Sequence, residues 1–122
     1  MKRIVGALVA LSAALLPQLG QAASFDCAKA ATFVEKAICS RASLSRLDDA
    51  LADNYRAMRA ANIGDGARRH LQSTQKQWLA ERNRCTDERY VENAYRQRID
   101  EVCEYPVLAG VHPGCVAADD IR

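Results

Sequence analysis

All five cysteines of this 122-residue chain, Cys27, Cys39, Cys85, Cys103 and Cys115, lie behind an apolar leader, and no other feature constrains the fold as tightly. Met1-Lys2-Arg3 is a short positive region, Ile4 to Leu16 is an apolar run, and Gly20-Gln21-Ala22 supplies small residues ahead of a cleavage site at Ala23. An apolar stretch of about 13 residues broken by Pro17 is too short for ~30 Å of hydrocarbon, so residues 1–22 read as a cleaved signal peptide rather than a membrane anchor. Ser24-Phe25-Asp26 lacks the small apolar residues expected before a lipid-modified cysteine, so the mature chain is expected free in the periplasm or outside the cell. There thiols become disulfides, and a chain of about 100 residues gains most from such staples. The odd count leaves one cysteine unpaired or shared between chains.

Charge excludes some partners. Lys+Arg 17 against Asp+Glu 15 falls to 15 against 15 once Lys2 and Arg3 leave with the leader. A neutral mature protein lacks the basic field that nucleic acid requires, and it carries no polybasic membrane anchor. A zinc site using His70 and His112 would need Cys-x2-Cys or His-x3-His spacing, which is missing, so no metal and no cofactor are expected. His70 reads as solvated helix surface and His112 as part of a turn.

Apolar residues recur at helical spacing and nothing alternates with period two, so the fold class is all-α. Thr32-Phe33-Val34-Glu35 is a capping box that starts a short first helix ending near Cys39. Ser43 is the expected cap of a longer second helix with the stripe Leu44, Leu47, Leu51, Tyr55 and Met58. Ile63-Gly64-Asp65-Gly66 ends it, and a third helix from about Ala67 carries Leu71, Gln75, Trp78, Arg82 and Cys85. So short a connection makes an antiparallel hairpin, in which Met58 faces Leu71, Tyr55 faces Gln75, Leu51 faces Trp78, and Leu47-Asp48 faces Arg82. A fourth helix capped near Thr86-Asp87 turns Val91, Tyr95, Ile99 and Val102 inward and ends near Glu104. Pro106, Gly110, Pro113 and Gly114 make the remainder an irregular tail. The expected division is a signal peptide over 1–22, a helical domain over 23–104 and a tail over 105–122.

The register bears on the disulfides. Cys85 lies across from Leu44, where the first helix arrives, so its expected partner is Cys39 or Cys27, leaving the other of these unpaired. A continuous helix from Cys27 to Cys39 would hold their Cα atoms about 18 Å apart, although a loop folded back ahead of the capping box could still join them. Cys103 and Cys115 bracket a segment rich in turn residues and form a natural local pair.

Ser24-Phe25-Asp26-Cys27-Ala28-Lys29-Ala30, then Val34-Glu35-Lys36-Ala37-Ile38-Cys39, Leu44-x2-Leu47-Asp48-x2-Leu51 with Tyr55, Gln75-x2-Trp78-Leu79-x2-Arg82-Asn83-x-Cys85, and Tyr95-x2-Arg98-Ile99 follow one another in order. In these motifs, over about residues 24 to 102, the chain resembles the N-terminal domain of the LprI lysozyme-inhibitor family. The resemblance implies a small, secreted helical protein that binds lysozyme and blocks peptidoglycan hydrolysis. The family usually carries a further cysteine shortly after the position of Cys85, where this chain reads Thr86-Asp87-Glu88-Arg89-Tyr90. Either Cys103 and Cys115 then close their own loop, or Cys103 takes the missing role and Cys115 becomes the odd thiol.

Catalytic chemistry finds no support in the motifs. Asp48 and Arg82 read as an ion pair supporting helix packing, Glu35 as a cap, and Trp78 as core against Leu51; the core reading also takes in Leu47, Tyr55 and Tyr95. No Gly-rich phosphate loop, ordered Ser-His-Asp set or Cys-x2-Cys pair occurs. Two surfaces remain for a protein partner. The segment between Cys103 and Cys115 offers Tyr105, Val107 and Leu108 as a plug for an enzyme cleft, or else packs on the bundle. Asp49 and Asp53, at i and i+4, form an acidic face that can meet a cationic lysozyme or merely be solvated. The expected function is therefore non-enzymatic inhibition of a lysozyme-type muramidase; the alternative is a cell-envelope interaction module with another partner.

Overall fold

A computed structural model describes residues 23–122, and the expected signal peptide falls outside them. The described chain forms four helices, α1 (Phe33–Ser40), α2 (Ala42–Ala60), α3 (Asp65–Arg82) and α4 (Glu88–Glu101). Short 3-10 turns occupy Cys27–Lys29 and Ala118–Asp120, and no strand is present among the described residues, so the fold is all-α. No helix among them is long and apolar enough to cross a membrane.

α1 begins at the expected capping box: Thr32 Oγ1 accepts from the Glu35 amide at 3.1 Å, and Glu35 Oε1 accepts from the Thr32 amide at 3.1 Å. These amide donors hold the Glu35 carboxyl below its ordinary acidity range, the Thr32 backbone N–H contributing most. Ser43 does not cap α2. That helix starts one residue earlier, after an extended Arg41 whose side chain makes no cap bond. The tight α1–α2 corner is instead fixed by Ser45 Oγ donating to the Ile38 carbonyl at 2.5 Å. Asp87 does cap α4, accepting from the Tyr90 amide at 3.0 Å.

α3 also starts earlier than expected, at Asp65, because Gly64 with φ +87° turns the chain into the helix at the end of a four-residue connection, 61–64. α3 then runs back along α2 and brings Arg82 to 3.7 Å from Asp48. The hairpin is nevertheless the looser seam, since α2 packs chiefly on α4 and α1. The cause is composition: α3 buries one apolar residue, Leu71, with Gln75 and Arg82, whereas α4 buries Val91, Tyr95 and Ile99 with Arg98. Trp78, expected against Leu51, stands edge-on to Tyr95 with ring centroids 4.9 Å apart. Val34, Ile38, Leu47, Met58, Leu71, Tyr95 and Ile99 are fully buried, whereas Tyr55 and Trp78 are half-buried against them.

The disulfides are Cys27–Cys39 and Cys103–Cys115, and Cys85 is the free thiol. This corrects the expected bond from Cys85 to Cys39 or Cys27, and with it a leftover Cys27, Cys39 or Cys115. Asp26 caps the 3-10 turn by accepting from the Ala28 amide at 2.9 Å, and the capping box delays the start of α1 to Phe33. The segment between them doubles back, so the Cys27 and Cys39 Cα atoms stand 5.8 Å apart. Cys85 faces its own helix end instead, its Sγ 3.7 Å from the Glu81 carbonyl oxygen.

The tail is more ordered than its glycines and prolines suggest. Asn54, buried on α2, donates to the carbonyls of Ile99 at 3.3 Å and Val116 at 2.8 Å and accepts from the Val116 amide at 3.0 Å. Asp100 accepts from the Ala118 amide at 2.9 Å, Arg96 donates to the Ala118 carbonyl at 2.9 Å, and Ala118 is buried. Arg46 reaches the Arg122 carbonyl oxygen. Residues 116–122 are thus a strap along α2 and α4.

Candidate protein-binding surface

The frame behind the surface is a buried polar cluster. Tyr95 Oη accepts from Arg82 Nη1 and donates to Asp48 Oδ1, each at 2.8 Å, and Asp48 Oδ2 also accepts from the Ser24 amide at 2.6 Å. Burial, reinforced by the Asp48 charge, pushes the Tyr95 hydroxyl far above its ordinary value, so the proton that donates to Asp48 stays in place. Among the described residues no buried side-chain nitrogen or oxygen lacks a hydrogen-bond partner. The cluster locks α2, α3 and α4 together and leaves none of its members free for acid–base work.

On this frame the 104–114 loop is seated at the α2–α3 turn. Its ends are joined by the Cys103–Cys115 bond, with Cα atoms 6.4 Å apart. Inside that closure the Leu108 amide donates to the Asn62 carbonyl at 2.8 Å, and Tyr105 Oη meets His70 Nδ1 at 2.7 Å. A Leu108 methyl stands 3.1 Å from where a Gly64 Cβ would be, so a larger residue at position 64 would add pressure on the loop to the strain of the positive φ. The His112 ring lies between the Cys103 carbonyl, 2.9 Å from Nε2, and the Pro113 carbonyl, 2.8 Å from Nδ1, and its one N–H can donate to either, stiffening the far side. At the tip Gly110 adopts φ +92°, a left-handed turn that any other L-residue would strain. Leu108 and Val111 flank it and are 70% and 92% exposed, the most exposed large apolar side chains described. Tyr105 and Val107 are half-buried against the bundle. The loop therefore packs by its base and projects by its tip, combining two arrangements that the sequence presents as alternatives.

Asp49 and Asp53 lie on the outer face of α2. Asp53 is engaged by Arg56 at 3.1 Å, and partial burial beside Asp48 and Asp53 pushes the Asp49 carboxyl above its ordinary value. The pair sits about two turns before the end of α2 that carries the loop, so loop and acidic face form two patches on one helix. Val111 and His70 are contributors that periodicity does not reveal. Val111 follows the only glycine at the loop tip, the one local signal that it would be thrown outward, and His70 acquires its role only when the loop returns to α3.

Compared with known proteins, the chain is matched over residues 27–111 by the family model described as lysozyme inhibitor LprI. Neither the curated proteins nor the solved structures gave a match.

Proposed function

The chain belongs to the LprI lysozyme-inhibitor family, and from that premise we propose that it acts outside the cytoplasm as a non-enzymatic ligand. It binds a lysozyme-type muramidase and blocks peptidoglycan hydrolysis, with the tip of the 104–114 loop as the inserted element. The observation that carries this reading is the exposure of Leu108 and Val111 on a loop fixed at both ends. A muramidase works through two carboxylates flanking a substrate-sized cleft, so a rigid apolar wedge in that cleft excludes the polysaccharide without any chemistry of its own. Burying each side chain is worth about 1.5–3 kcal/mol, and a loop already ordered by its disulfide loses little entropy on docking. Asp49 and Asp53 speed encounter with a cationic enzyme rather than tighten the complex.

The test is a cell-wall lysis assay with oxidised protein, residues 23–122, titrated against c-type, g-type and i-type lysozymes. Inhibition saturates near equimolar ratio in one class, and Leu108→Asp or Val111→Asp raises the concentration required by about tenfold or more. Full lysis at large excess in every class would overturn the reading and favour an envelope interaction module.

A further inference from the structure

A cleft of about 320 Å³ opens between α2 and α3, on the seam that the polar composition of α3 leaves loosely packed. No residue of the 104–114 loop lines it, so what it binds is independent of the inhibitor reading.

Gln75 is the informative residue. Only 9% exposed, it spends its carbonyl on Arg98, accepting from Nε at 2.9 Å, while its Nε2 makes no hydrogen bond among the described residues. No fully buried side-chain nitrogen there lacks a partner, so Nε2 keeps some solvent access, and Gln75 is among the residues that line the cleft. Tyr55, half-buried on the same wall, has a hydroxyl with no partner among the described residues. Arg59 on the rim forms no ion pair among them, whereas Asp48 and Arg82 on the floor satisfy each other. The indole of Trp78 and the side chain of Leu51 supply the apolar wall.

These groups specify a ligand. An apolar ring face suits Trp78, a carbonyl acceptor suits the Gln75 amide, hydroxyls suit Tyr55, and a carboxylate suits the unpaired guanidinium of Arg59. We infer that the α2–α3 cleft binds a small acidic amino sugar, one ring bearing both an acetamido group and a carboxylate, with Gln75 and Arg59 as its polar anchors.

Trp78 is the only tryptophan in the chain, so its fluorescence reports directly on the cleft. The oxidised protein is titrated with N-acetylmuramic acid, with N-acetylglucosamine, which lacks the carboxylate, and with lactate, which lacks the ring. A saturable change with Kd near about 1 mM is expected for the first, and at least about fivefold weaker binding for each of the others. Gln75→Glu keeps an acceptor for Arg98 but replaces the free donor by a negative oxygen. It should weaken binding about tenfold in protein that circular dichroism shows to be folded, and so should Arg59→Ala. No saturable response to N-acetylmuramic acid up to about 50 mM would overturn the inference, being far above the affinity such a site would have. Equal responses to all three ligands, or full binding by both variants while folded, would overturn it too. A loop variant such as Val111→Asp should leave this titration unchanged, which separates failure here from failure of the inhibitor reading.

Discussion

The Tyr95 hydroxyl sits between Arg82 and Asp48, and all three residues are buried, so each depends on the other two for its solvation. Asp48→Ala leaves the Arg82 guanidinium without its counter-charge in a dry site, and about 3–5 kcal/mol of stability should be lost. Tyr95→Phe removes the bridge but keeps both charges, and about 1–3 kcal/mol is expected. Urea denaturation at neutral pH measures both, and a loss from Asp48→Ala no larger than that from Tyr95→Phe would contradict the buried-pair argument. Glu35 sets a pH dependence. Its folded pKa lies below the ordinary 4.5, so its stabilising share is present above that value and is lost as pH falls through the lower folded value. Glu35→Gln, which still accepts from the Thr32 amide, should flatten that part of an acid-unfolding curve. An unchanged acid slope in the variant would show that the cap does not contribute through its charge.

At the scale of elements, α2 carries opposite demands on its two faces. Its inner face fixes the strap through Asn54, whose amide serves the Ile99 and Val116 carbonyls and the Val116 amide at once. Asn54→Ala should cost about 1–3 kcal/mol, with faster hydrogen exchange confined to the Val116–Ala118 amides before global unfolding sets in. Its outer face holds Asp49, whose pKa is raised by partial burial and by the Asp48 and Asp53 charges, so that ionisation opposes folding. The neutral form is favoured below the ordinary 3.8, and that advantage is lost as pH rises through the folded value. Asp49→Asn should therefore raise the midpoint of urea unfolding at neutral pH and leave it unchanged well below the ordinary value. The four helices, the capping box and the Asp48–Arg82 opposition were legible in the sequence because each follows from local spacing or from one short turn. The position of α4 across the hairpin was not legible. Periodicity states which face of a helix is apolar but not every neighbour that covers it, so the edge-on contact of Trp78 with Tyr95 was not foreseen beside the expected Leu51.

The molecule as a whole is divided by its two staples into parts with different dependencies. Both bonds span a sequence separation of 12, so the entropy each removes from the unfolded chain is similar, about 2–4 kcal/mol in the loop-closure picture. Their pairing was only half legible: Cys103–Cys115 brackets its own turn residues, whereas Cys27–Cys39 depends on a 3-10 turn that no periodicity announces. The surface was legible as a segment but not by residue, since the exposure of Val111 and the use of His70 arise only once the loop is seated on α3. One free thiol per chain should react with Ellman's reagent in the oxidised protein and five after reduction and unfolding, and the native reaction should be slow because burial pushes the Cys85 thiol up. The two staples can then be separated by function. Replacing Cys27 and Cys39 by Ser frees the segment before α1 but leaves the loop closed, so stability should fall while inhibition by the surviving folded fraction persists. Replacing Cys103 and Cys115 leaves α2, α3 and α4 packed through Asn54 and the Tyr95 cluster, so helical circular dichroism should persist. The loop then holds its tip only through the Leu108, Tyr105 and His112 hydrogen bonds, and the added ordering cost should weaken inhibition by about tenfold or more. Equal loss of inhibition from both pairs at matched folded fraction would place the contact outside the loop, on the α2 face that carries Asp49 and Asp53.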